Sequence, residues 1–169
     1  MKLRLIPFLM VAWLCGLSAQ QTRANVTVNI KGTVVIPPCT INNGDIIEFN
    51  FGDAIPVQDI VSGVMVTRNK SFRVTCTDNP SLPNGVNLLL TGPVVPGKSD
   101  LVGTSKPQLA IKMLVTSSRG AEFLNNNSVL TDIPANVDTI LIASLVTGEA
   151  GELTEGSFTG SATLTASIP

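Results

Sequence analysis

Asn25-Val-Thr-Val-Asn-Ile-Lys-Gly-Thr-Val-Val-Ile36, closed by Pro37, Pro38 and Cys39, is the stretch on which the reading of this chain turns. Strand side chains alternate between two faces, so an extended backbone puts Val26, Val28, Ile30, Gly32, Val34 and Ile36 on one side. Thr27, Asn29, Lys31, Thr33 and Val35 fall on the other. This is the pattern of a half-buried strand, and the prolines end it because proline has no N–H to give a ladder. The last fifteen residues repeat the theme. Phe158, Gly160, Ala162, Leu164, Ala166 and Ile168 alternate with Thr159, Ser161, Thr163, Thr165 and Ser167 before Pro169. Two long alternating strands at opposite ends either pair with each other in one sandwich or take partners elsewhere, and pattern alone leaves both open.

Ahead of the first strand stand Lys2 and Arg4, an apolar run from Leu5 to Leu17, and then small and polar residues. These are the parts of a secretory signal peptide over residues 1–24, and the run is short of the roughly 20 apolar residues a membrane-spanning helix needs. Cleavage after Ala19 or after Ala24 fits, the second leaving the alternating strand at the new terminus. A lipoprotein reading of Cys15 is disfavoured by Leu14, where a small residue is required. With Cys15 removed, Cys39 and Cys76 remain, and an even pair in an oxidising compartment is most simply one disulfide.

After cleavage about 145 residues remain, enough for one domain with a core. Of the 11 basic residues Lys2, Arg4 and Arg23 leave with the leader, so 8 basic face 12 acidic residues. That balance offers no basic patch for nucleic acid or an anionic membrane. The chain has no histidine and no tyrosine, which removes the commonest general base and the commonest metal ligand.

Beyond Cys39, short β-like runs fall near residues 40–41, 46–51, 64–77, 85–90, 109–115, 137–145 and 157–168. Gly, Pro, Asn and Asp mark turns between them at 42–44, 78–80, 83–85, 93–96 and 125–127. No window shows a helical period with caps. The expectation is an all-β sandwich, immunoglobulin-like in broad architecture.

Three local motifs compete with that reading. Gly92-Pro-Val-Val-Pro-Gly97-Lys98-Ser99 fits a phosphate loop, but Pro93 and Pro96 remove two of the N–H groups such a loop needs and no helix follows. Asp45, Glu48 and Asp53 lack the ligand spacing of a calcium loop. Asn25, Asn69 and Asn126 each begin a short glycosylation pattern that arises readily by chance. The serines and threonines have no histidine to activate them, so no catalytic residue is expected. No cofactor, metal or small-molecule substrate is implied.

With the terminal strands and the cysteine pair in hand, the chain resembles the pilins of the chaperone-usher pathway. Val28-Asn-Ile-Lys-Gly-Thr-Val-Val-Ile-Pro-Pro-Cys-Thr-Ile-Asn42 is similar to the minor tip-adaptor subunits of P-type pili. Ile47-Glu-Phe-Asn-Phe-Gly52, Ser71-Phe-Arg-Val-Thr-Cys76 and Gly156 extend the match over the whole mature chain. The resemblance implies an incomplete immunoglobulin-like sandwich lacking its seventh strand, over residues 39–169, preceded by a donor-strand extension at 25–38. It further implies that Val26, Val28, Ile30, Gly32, Val34 and Ile36 enter a neighbour's groove, with Gly32 where the groove admits no side chain. On the acceptor side it points to Gly156, Phe158, Ala162, Leu164, Ala166, Ile168 and Pro169. The Pro169 carboxylate is the group a chaperone's basic residues would anchor, and Ile168 stands where the family usually carries an aromatic.

The function so implied is that of a structural fimbrial subunit, not an enzyme, serving cell adhesion as a minor adaptor between a tip adhesin and the following subunits. Its expected partners are a periplasmic chaperone, an outer-membrane usher and neighbouring subunits, met on the way through the periplasm to the cell-surface fimbrium. A major shaft pilin, or a monomeric exported domain whose terminal strands pair internally, are the alternatives.

Overall fold

A computed structural model describes residues 39–76 and 85–169, and all of these belong to a sandwich of two antiparallel sheets. The larger sheet runs β1 (Cys39–Ile41), β2 (Val66–Cys76), β9 (Asp138–Thr147), β6 (Leu109–Ser117), β5 (Lys98–Gly103) and β4 (Val94–Val95), with β7 (Gly120–Phe123) also on β6. The smaller sheet is β10 (Thr163–Ser167), β3 (Val86–Thr91) and β8 (Val129–Ile133). Long registers hold the centre: β2 and β9 pair from Val66 opposite Leu145 to Arg73 opposite Asp138, and β6 and β9 from Leu109 opposite Thr147 to Thr116 opposite Ile140.

Alternation along these strands builds the core. Phe72, Val74 and Cys76 of β2, Met113 and Val115 of β6, and Leu141, Ala143 and Leu145 of β9 are buried between the sheets against Val86, Leu88 and Leu90 of β3. β-Branched and large apolar residues fit such a pleated, one-sided surface. On the opposite face of the larger sheet Val95, Leu101 and Ala110 form a small second cluster backed by Val146. Cys39 stands directly opposite Cys76 in the register of β1 and β2, and the two are joined as a disulfide.

The sequence expectations need four corrections. Residues 46–51 alternate in burial, with Ile47 and Phe49 half-buried and Phe51 buried, yet they form no strand; alternation records which face is apolar, not whether a backbone partner lies alongside. The final strand is shorter than 157–168, because its regular pairing with β3 starts only at Thr163. A single helical turn, α1 (Val57–Val61), follows Pro56 and buries Ile60; one turn is too short to show a period. Strands β4, β5, β7 and β8 were not expected at all; none carries a long run of alternating apolar residues.

The phosphate-loop pattern is one of these missed elements. Pro96 and Gly97 make the two-residue connection between β4 and β5, with Gly97 at φ +74°, as the third position of a type II turn requires. Lys98 then begins β5 and its Nζ donates to the Thr147 carbonyl at 2.9 Å. The 125–127 turn has a larger role. Asn126, only 4% exposed, accepts from Gly92 N–H at 2.8 Å and directs its amide N–H groups at the carbonyls of Gly92, Pro93 and Leu101. One buried amide thus replaces ladder bonds where the chain passes from β3 to β4, and the same burial removes Asn126 as a glycosylation acceptor. The turns at 78–80 and most of 83–85 lie outside the described residues, as do the expected signal peptide and the strand expected over 25–36.

Two stability outcomes follow. Replacing Cys39 and Cys76 together by serine opens a covalent loop with a sequence separation of 37 and should lower unfolding free energy by about 4 kcal/mol in urea titrations under oxidising conditions. Asn126→Ala leaves buried backbone groups of Gly92 and Leu101 without a partner and should cost roughly 2–4 kcal/mol by the same measurement.

Candidate functional site

The sheets do not close over the core along one seam. Between the segment 46–55 and the segment 153–162 lies an open groove of about 1260 Å³, floored by Leu90, Val102, Leu109, Met113, Leu141 and Ala143. These floor residues are members of the main core or its immediate lining. A groove of this size exceeds the roughly 300–1,000 Å³ of small-molecule sites and suits an extended peptide. Each lip is backbone that belongs to no strand, so its N–H and C=O groups lack the regular partners that buried backbone requires.

Two cations stand in for part of what a neighbouring strand would supply. Arg68, on β2, donates from Nε to the Asn50 carbonyl at 3.1 Å and from a terminal nitrogen to the Phe51 carbonyl at 2.9 Å. Its guanidinium also lies 5.8 Å from the centre of the Phe51 ring. Across the groove Lys106 Nζ donates to the carbonyls of Glu155 at 2.9 Å and Thr154 at 3.3 Å. The lips approach each other through Phe51 and Phe158, whose ring centres are 6.1 Å apart with the planes inclined at 51°.

Of the residues expected on the acceptor side, Gly156, Phe158, Ala162 and Leu164 line the groove. Ala166 and Ile168 are half-buried and Pro169 is exposed, and none of the three lines it. Gly156 sits at φ +124°, and a Cβ there would meet Lys106 Nζ at 3.3 Å; both the backbone conformation and the nearby ammonium favour glycine. The residues expected on the donor face, Val26, Val28, Ile30, Gly32, Val34 and Ile36, lie outside the described residues.

Sequence reasoning missed Arg68, Lys106 and the role of the 46–55 segment as a lip. The alternation of Ile47, Phe49 and Phe51 pointed to the last, whereas no local signal marks Lys106, whose partners are 48 and 49 residues away. The acidic residues Glu48, Asp53 and Glu155 border the groove, but among the described residues no group of three metal-ligating side chains gathers anywhere. The floor is apolar, with backbone and polar side chains at the rims. Such an arrangement can take main-chain bonds along an edge and side chains at alternate positions in the floor.

Comparison with known proteins agrees with this geometry. The P pilus rod subunit PapA superposes with a TM-score of 0.60 at 20% identity, over 85% of this chain and 100% of PapA. A chaperone-usher pilus structure gives 0.60 at 22% identity, over 89% and 98%. The P pilus adaptor subunit PapF gives 0.52 at 18%, over 81% and 100%. At these identities the likeness is one of fold, the immunoglobulin-like sandwich that lacks a strand. In sequence, the Minor fimbrial protein PrsF of Escherichia coli is 49% identical over 49 residues, 29% of each chain. The Fimbrial adapter PapF of Escherichia coli is 50% identical over 53 residues, 31% of this chain and 30% of that relative. The chain thus matches under a third of the length of these two curated relatives. A family model described as Fimbrial protein fits residues 28–168, a span that takes in both lips, the groove floor and the disulfide, and the chain therefore belongs to the fimbrial protein family of structural, non-enzymatic pilus subunits.

Proposed function

We propose that the chain is a minor adaptor of a chaperone-usher pilus, linking a tip adhesin to the subunits that follow and so supporting adhesion. The observation that carries the reading is the open groove, an apolar seam with a backbone edge on each side. An exposed edge over apolar floor aggregates unless covered. A periplasmic chaperone covers it first by lending a strand, aided by a basic contact to the Pro169 carboxylate. A strand from the next subunit then replaces the chaperone's at the outer-membrane usher. By the same exchange residues 25–38 of this chain, the extension ahead of the 39–169 pilin domain, enter a neighbour with Val26, Val28, Ile30, Gly32, Val34 and Ile36 inward.

The energetics suit a non-covalent fibre. Burying five aliphatic side chains at about 1.5–3 kcal/mol each is worth on the order of 10 kcal/mol before the entropy of ordering the strand, and a row of main-chain hydrogen bonds adds to it. What supports the adaptor position over the shaft is the local sequence match to PapF and PrsF; the superpositions on rod and adaptor subunits speak to fold alone. Copy number in purified pili separates the two positions, an adaptor being present in few copies per fibre.

Deletion of residues 25–36 should leave the chain bound to its chaperone in periplasmic extracts yet absent from assembled fibres, as seen by pull-down and by immunoblotting of sheared pili. A deleted chain that fails to fold, beside a full-length chain that is a stable lone monomer, contradicts the proposal and favours the self-contained exported domain.

A further inference from the structure

We infer that the loop Thr104–Lys106, between β5 and β6, is a clasp that positions the second lip of the groove, and that Lys106 thereby sets how tightly one end of an inserted strand is held. The inference rests on the reading of the groove as a strand acceptor. Four hydrogen bonds tie residues 153–162 to the clasp. Lys106 Nζ donates to the Thr154 and Glu155 carbonyls, Ser105 N–H donates to the Thr159 carbonyl at 2.8 Å, and Thr159 N–H donates to Ser105 Oγ at 3.0 Å.

The clasp is itself braced. Thr104 Oγ1 donates to the carbonyls of Lys106 and Leu109 at 2.9 and 2.8 Å and accepts from Lys106 N–H at 3.1 Å. Regular pairing of this last segment with β3 begins only at Thr163. Upstream of that point Leu153 and Phe158 pack on the core, and the hydrogen bonds that fix the backbone come from Ser105 and Lys106. An ammonium bonded to peptide carbonyls is a stronger tether than a neutral donor, and Lys106 lines the groove while providing it. Its effect is local. Lys106 touches the lip at Thr154 and Glu155, beside Gly156, whereas Ala162 and Leu164 lie toward the other end, where β3 holds the strand.

The location makes the role testable apart from general stability. The full chain is refolded from urea with a labelled peptide of residues 25–36, and peptide dissociation is followed by fluorescence polarisation. Lys106→Met keeps the stem and removes the donor; it should speed dissociation about tenfold, of the size a lost charged hydrogen bond gives, and Lys106→Arg should restore most of the loss. Shortened peptides of residues 28–36 and 25–33 then report position. One of the two no longer reaches the clasped end, and for it the native chain and Lys106→Met should dissociate alike, while the other keeps the tenfold difference. A difference that persists with both shortened peptides shows a merely structural effect and overturns the inference, as does a Lys106→Met chain that holds the 25–36 peptide as the native chain does. If the native chain takes up no peptide, the strand-acceptor reading fails, and the inference fails with it.

Discussion

An apolar core left uncovered along one seam is the constraint from which the rest of this structure follows. The larger sheet presents a continuous buried face from β2 through β9 to β6, and the smaller sheet, three strands wide, covers only part of it. Residues flanking the gap must border apolar surface while their backbone groups lack a ladder. The molecule meets that demand with long cationic side chains placed at the margins, Arg68 on one side and Lys106 on the other, each directed at main-chain carbonyls. Neither is engaged with a carboxylate among the described residues, and the ion pairs that do form, Arg73 with Asp138 and Arg119 with Asp132, are exposed and contribute little to stability.

A second device handles the chain's passage between sheets. Strand β3 belongs to the smaller sheet and β4 to the larger, so the backbone between them leaves one ladder before joining the next. Asn126 fills the interval with its side-chain amide, and Asn126 and Asn127 extend this through main-chain bonds to Asp100 and Leu90. Among the described residues no buried side-chain polar atom is left without a partner. The bonds from Asn126 and Asn127 compensate the irregular backbone here.

Much of the sandwich was legible because its central strands are long and one-sided. Phe72, Val74 and Cys76, or Leu141, Ala143 and Leu145, announce their face at every second position, and the two cysteines announce their bond by being the pair that lies beyond the expected leader. The short edge elements were not legible, since Val94–Val95 is two residues long and Gly120–Phe123 is exposed throughout. The lips of the groove were half legible. Phe158, Ala162 and Leu164 were read from alternation and do line the groove, but the opposing lip read as an ordinary strand, because hydrophobic period carries no information about hydrogen-bond partners. Lys106 could not be read, for its contacts are set by tertiary placement and not by spacing.

The disulfide has a mechanical consequence. Strand β1 is only three residues long and is held to β2 by a short register, so by hydrogen bonds alone it would peel under tension applied to the chain ahead of it. Cys39 is its first residue, and its bond to Cys76 passes such a load directly into β2, which is paired with β9 over eight positions from Val66 to Arg73. A pull on the preceding backbone therefore bypasses this short strand and loads the centre of the larger sheet, along a covalent path.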